Sequence, residues 1–220
     1  MLSNPDQATT PVEHVPIGLI VTGGIGTGKS AFVAALREEM PSLALHDADR
    51  TVHRLYGDPD VREELAAEFG ASVLTGEADV DRAAIRKAVF TEPSKRARLE
   101  AILHPRVRAA CQAAWNAAQA GAASLFVADI PLFFEGGQWK PDPSIRVLVV
   151  ACSPRTQRDR LAARNPFDKD AIERIISSQA DLAAKMAAAD FVVWNEGGLQ
   201  ALRRQAASLV DHLIPRTKRA

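Results

Sequence analysis

The sequence predicts an α/β fold in which a parallel five-stranded sheet is sandwiched between two helical layers. Three observations predict it. Five short apolar runs are each bounded by turn residues. Several of them lack polar alternation, the pattern of strands buried on both faces of a parallel sheet. Helical periodicity fills most of the chain between them, as crossover connections require.

The strands read, in order, as IGLIVT (17–22), LALHD (43–47), SLFVAD (124–129), IRVLVVAC (145–152) and DFVVW (190–194). The clearest helical patterns cover 30–40, 82–89, 94–118, 155–164, 169–179 and 199–213. Within the third, the His104–Pro105 step is expected to end one helix and start another, because proline lacks the amide donor and crowds the preceding turn. Residues 48–123 carry helix signals but no convincing strand, so they read as a mostly helical insertion into a core formed by 16–47 and 124–220. Residues 1–15 read as a polar tail.

Composition narrows the function classes. The 220 residues balance 27 basic against 27 acidic side chains, which gives no support for a nucleic-acid footprint. No apolar run approaches the roughly twenty residues of a membrane span. The N-terminus has neither a basic start nor an apolar segment of the secretory type. Cys111 and Cys152 stand far apart with no CxxC pair, which fits reduced, buried thiols better than a disulfide framework or a zinc site. The expectation is a cytoplasmic protein.

The most informative stretch is GGIGTGKS, 23–30, directly after the first apolar run and directly before a helix. It matches the phosphate-binding pattern G-x-x-x-x-G-K-[ST] in full and in the required context, which makes the fold a P-loop NTPase fold. A loop poor in side chains lets successive backbone N–H groups of Gly24, Ile25, Gly26, Thr27 and Gly28 converge on phosphate oxygens. The following helix adds unpaired N–H groups and its positive end. Lys29 is placed to reach the β- and γ-phosphates of ATP, and the Ser30 hydroxyl to ligate Mg²⁺. The competing reading is a glycine-rich turn beside a surface lysine.

A nucleotide-binding loop does not name a reaction. No asparagine here is followed by lysine and no aspartate has glycine three residues on, so the motifs of a GTPase switch are missing. A kinase acting on a small molecule needs an acceptor-side base and arginines around the transferring group. HDADR, 46–50, leaves the second strand at the edge from which open α/β sheets bind ligands. Either Asp47 or Asp49 is a candidate to orient an acceptor hydroxyl, although a DxD after a strand also serves as a turn or helix cap. Arg160 and Arg164 fall on one face of a helix that is followed by NPFD, a layout suited to a lid over about 155–175. A solvated basic face is the plainer alternative.

Taken together, TGGIGTGKS, DAD at 47–49, LHPRVR at 103–108, DIPLFFE at 129–135, VVACSPRTQRDRLAAR, RIISSQ at 174–179 and ADFVVWNEGG at 189–198 resemble the dephospho-CoA kinase family in order and spacing, over nearly the whole chain. The resemblance implies transfer of the γ-phosphoryl of ATP to the ribose 3′-hydroxyl of dephospho-CoA, the last step of coenzyme A synthesis. It implies Asp49 as base, Thr22, Lys29 and Ser30 on phosphates and Mg²⁺, and Arg160 and Arg164 as lid arginines. Asp47, His104, Pro105 and Asp129 fall on the dephospho-CoA side, and Asn195 and Gly197 on the adenine side of ATP. Three features depart from the family pattern: the N-terminal tail, Thr27 where serine is commoner, and a phenylalanine in PLFFE where leucine is usual. Another small-molecule kinase of the same fold and a nucleotide-binding module without turnover stand as alternatives. Monomer and weak homo-oligomer both stay open.

Overall fold

The computed structural model describes residues 15–76, 79–137, 139–164 and 168–215. Most of the polar tail predicted for 1–15, and residues 165–167 within the lid segment, lie outside them.

Five parallel strands form the main sheet: β1 (Ile17–Gly23), β2 (Ala44–Asp47), β5 (Leu125–Asp129), β6 (Arg146–Ala151) and β7 (Phe191–Trp194). Their order is β2-β5-β1-β6-β7, with Ile17 beside Leu125 and Gly23 beside Val150. All five fall where the apolar runs placed them, each within a residue or so at its ends.

The period of two along β1 sends Leu19 and Val21 to one face and Ile20 to the other, and both faces are buried. On the first face, α1 (Lys29–Glu39) and α9 (Leu199–Leu213) bring Phe32, Leu36, Leu202 and Val210 against the sheet. On the second, α5 (Pro93–Ala120) contributes Cys111, Trp115 and Ala118, with the Trp115 ring tilted against Phe126 at 5.3 Å between centroids. The sandwich therefore has three layers. Because the chain steps from β1 out to β2, returns to β5 and then crosses to β6, its topological switch falls at β1, where the glycine loop emerges.

Between β2 and β5 the chain forms α2 (Ala48–Leu55), α3 (Pro59–Phe69), α4 (Arg82–Thr91) and α5, which pack a third cluster around Val61, Leu65, Ile85 and Leu103. A short antiparallel ribbon, β3 (Leu74–Thr75) with β4 (Asp79–Val80), also lies here, where no strand was expected. Two residues per strand is too short to produce a readable alternation.

The helix break expected at His104–Pro105 does not occur. α5 runs through Pro105 without interruption. Proline leaves the carbonyl four residues back without a donor, and here that residue, Ala101, is exposed to water. The next carbonyl, of Ile102, accepts from Arg106 Nη1 at 2.7 Å, and the same guanidinium is held by Glu64. One arginine thus supplies a donor within the turn that proline disturbs.

Beyond β6 come α6 (Pro154–Arg164), α7 (Lys169–Ser177) and α8 (Leu182–Ala187). No helix among the described residues is long and apolar enough to cross a membrane.

Candidate active site

The C-terminal ends of β1, β2 and β5 converge, so that the glycine loop, Asp47 and Asp129 meet along one sheet edge, with Asp47 and Asp129 as register partners. Gly28 starts α1 with φ 95°, a left-handed conformation that favours glycine. The Asn195 amide packs directly over its Cα and leaves no room for a Cβ. No side chain caps this helix, which keeps its first N–H groups available to an anion.

The carbonyls of the loop are turned outward and held there. Gln157 Nε2 donates to Ile25 O at 2.6 Å, and Asn195 Nδ2 to Thr27 O at 2.8 Å. Arg160 donates through Nη1 to Thr27 O at 3.2 Å and Gly26 O at 3.4 Å, and through Nη2 to Asn195 O at 3.0 Å. Ile25 N–H donates to Gln179 Oε1 at 2.8 Å. Thr27 is fully buried, its hydroxyl spent on Gly24 O at 2.7 Å, so it shapes the loop from within.

Two cavities open on this edge. One, of about 300 Å³, is lined by Gly24, Ile25, Gly26, Gly28, Lys29 and Ser30, with Arg164 and Gln179 across from them. The other, of about 160 Å³, is mainly apolar, walled by Val52, Val107, Leu132, Phe133 and Trp139 with His104 and Arg108 among them. Asp49 and Pro131 line both. A carboxylate thus stands where the glycine-loop cleft meets an apolar one.

Asp49 lies in the first turn of α2 with its side chain open to the cleft. The surrounding protein raises its carboxyl above the ordinary range; Lys29 pulls it down, while Asp47 and Asp129 push it further up. Asp47 is differently employed. Its carboxylate caps α2 by accepting from Arg50 N–H at 2.9 Å. Lys29 is ion-paired with Asp129, each side chain less than 15% exposed.

Several predicted site residues sit elsewhere than expected. Thr22 is wholly buried and donates to Pro131 O at 3.1 Å, so its hydroxyl pins the loop after β5 instead of facing the phosphate cleft. Pro105 is exposed and lines neither cavity. Arg160, expected beside Arg164 on the transferring group, has its guanidinium committed to three backbone carbonyls. Only Arg164 of the two lines the cleft. Gly197 lies in the exposed turn after β7, packed near Ala201.

Sequence reasoning did not single out Gln157, Gln179 or Arg108. The glutamines act on a loop more than 130 residues away, and no local pattern carries that information. Arg108 had a signal. With His104 and Cys111 it falls at i, i+4, i+7 on one face of α5, and it donates to Gly136 O at 2.7 Å. Cys111, buried against the apolar cavity, has its thiol pushed up to about 12 by burial, which keeps it in the unreactive protonated form.

The division of labour between the arginines gives a first expected result. Arg160→Ala should raise the KM for ATP by about tenfold, the equivalent of about 1.4 kcal/mol, and lower Tm, because it releases the loop carbonyls. Arg164→Ala should lower kcat with little change in that KM. Steady-state kinetics and melting curves of both variants check this; a pure kcat effect at Arg160 would contradict its bracing role.

The chain is similar to proteins of known family. The family model described as dephospho-CoA kinase matches residues 17–201. A dephospho-CoA kinase of Chromobacterium violaceum is 39% identical over 186 residues, covering 84% of this chain and 88% of that protein. One from Bordetella pertussis is 40% identical over 202 residues, covering 90% of each. Among solved structures, one from Thermus thermophilus superposes with a TM-score of 0.72 at 29% identity, covering 90% of this chain and 98% of that one. Dephospho-CoA kinase from Campylobacter jejuni, at 24% identity and TM-score 0.68, shares the fold over 89% of this chain and 96% of its own. With a family model spanning well over half of its length and relatives at this identity, the chain belongs to the dephospho-CoA kinase family.

Proposed function

We propose that the protein transfers the γ-phosphoryl group of ATP to the ribose 3′-hydroxyl of dephospho-CoA and so forms coenzyme A. The observation that carries this reading is the shared position of Asp49, which borders the phosphate cleft and the apolar cavity at once. ATP phosphates rest on the N–H groups of the glycine loop and the first turn of α1. Lys29 exchanges Asp129 for the β- and γ-oxygens, and Arg164 faces the group in transfer. Asn195 and Gly197, in the turn after β7, border the adenine side.

Dephospho-CoA enters the apolar cavity with its reacting hydroxyl toward Asp49, while His104 and Arg108 border its path. Asp49 orients that hydroxyl in line with the γ-phosphorus and takes its proton as the new bond forms. The helical segment 48–123 serves the CoA side. The segment 155–175 serves as the lid: its first helix, α6, is tied to the glycine loop through Gln157 and Arg160 and presents Arg164 to the cleft.

The donor set suits Mg²⁺ that arrives with the nucleotide. The exposed Ser30 side chain lines the phosphate cleft, and no cluster of three or more His, Cys, Asp or Glu able to hold a metal forms among the described residues. When bound, the ion neutralises charge on the β- and γ-oxygens. We assign the protein to the cytoplasm, where Cys111 and Cys152, both buried and free, stay reduced.

The test is incubation with ATP, Mg²⁺ and dephospho-CoA, followed by mass spectrometry for coenzyme A and ADP in equal amounts. ATP consumption that needs a different acceptor would replace the substrate assignment. Nucleotide binding without turnover on any acceptor would make the protein a binding module.

A further inference from the structure

Two ammonium–carboxylate pairs lie beneath the clefts. Lys29–Asp129 belongs to the phosphate site. The other borders neither cavity: Lys185 on α8, 1% exposed, donates to Glu135 Oε1 at 2.7 Å. The same oxygen accepts from Ala180 N–H at 3.0 Å. An ammonium taken this far from water is kept only when it is paired and hydrogen-bonded. Burial alone would raise the Glu135 carboxyl, but the bonds from Lys185 and Ala180 outweigh it and hold the group below the usual carboxylate range.

What this pair joins matters more than what it stabilises. Glu135 lies in the loop after β5, whose residues Pro131, Leu132, Phe133 and Gly136 on either side of it wall the apolar cavity. Ala180 lies in the short joint between α7 and α8. Its chain neighbour Gln179 lines the phosphate cleft and holds the N–H of Ile25. Adjacent residues of one joint therefore grip the two loops: 180 the acceptor loop through Glu135, and 179 the phosphate loop. Thr22 adds a second tie, from β1 to Pro131. A displacement of the acceptor loop is carried through Glu135 into the joint and from there to Ile25.

We propose that Glu135, held by Lys185, is a positioning residue that couples the seating of the acceptor to the setting of the phosphate loop. This rests on the kinase reading above. The two ligands then bind with positive coupling, reciprocal by linkage.

The experiment is calorimetric titration with the β,γ-imido analogue of ATP and Mg²⁺, alone and with saturating dephospho-CoA. In the intact protein dephospho-CoA should tighten analogue binding by about fivefold or more, the lower end of common coupling. The double variant Glu135→Gln, Lys185→Met should bind each ligand alone within about twofold of the intact protein and lose the tightening. A merely structural pair would lower Tm and leave the tightening intact, which would overturn the proposal. Gln179→Ala leaves the ion pair whole and breaks the path at its other end. It should abolish the tightening even if the double variant fails to fold, and its retention there would be equally fatal. An intact protein that binds both ligands independently sinks the coupling alone. One that binds the analogue but not dephospho-CoA sinks the substrate reading and the coupling with it.

Discussion

Lys29→Ala should lose about 10² to 10³ in kcat, the range found when one preorganised donor is removed from a developing charge. The lysine follows directly on the glycine that starts α1 and lines the phosphate cleft. In the proposed reaction its charge meets the oxygens of the transferred group, and the lysine side chain is itself largely shielded from water, where such charges count more. It also has a second role in the free protein, as partner to Asp129. Removing it strands a mostly buried carboxylate, which costs about 1–3 kcal/mol, so Tm should fall as well. The double variant Lys29→Ala, Asp129→Asn separates the two effects. It should regain Tm without regaining turnover. Near-normal kcat in the single variant would remove the phosphate-loop assignment.

Asp49→Asn should cost about 10² to 10⁴ in kcat, the range for loss of a general base. The asparagine keeps the shape and one acceptor oxygen but loses the charge and the proton acceptor. Dephospho-CoA affinity should change far less, since the apolar cavity walls are untouched. A loose transition state needs little early proton transfer, so much of the loss comes from orientation. The raised carboxyl adds a pH signature. Asp49 must be ionised to act, so activity falls as pH drops through a value above the ordinary carboxylate range. That acid limb should be absent from the residual activity of Asp49→Asn. Asp47→Asn should stay active, because asparagine caps a helix about as well as aspartate. If Asp47→Asn is the dead variant and Asp49→Asn is nearly normal, the two roles must be exchanged.

Much of this arrangement was legible in the sequence because its signals are local. The five strands are continuous apolar runs between turn residues, and the glycine loop carries its own context of strand before and helix after. The choice between Asp47 and Asp49 was not legible, since both follow the same strand. Only the fold shows a difference between them: the bond from Arg50 N–H commits the Asp47 carboxylate to the α2 N-terminus. Arg160 and Arg164 share a helix face, and spacing alone treats them as equals. Their difference comes from three carbonyls on the glycine loop and the turn after β7, far away in the chain. Pro105 misled because its rule concerns an isolated helix. The helix continues here at an exposed Ala101, with Arg106 bonded to the carbonyl of Ile102.

The uninterrupted course of α5 has a consequence for how the molecule comes apart. At 1.5 Å per residue, its 28 residues form a rod of about 42 Å. Leu103 on this rod lies in the cluster built by α3 and α4, while Cys111, Trp115 and Ala118, further along, lie against the main sheet. One hydrogen-bonded ladder is thus common property of two hydrophobic centres. The elements between residues 48 and 92 cannot melt as an independent foldon without stripping the upstream half of that ladder of its tertiary support. The two centres should therefore be thermodynamically linked, and in a hydrogen-exchange measurement the amides of α5 near Cys111 and Trp115 should open only with energies that approach global unfolding.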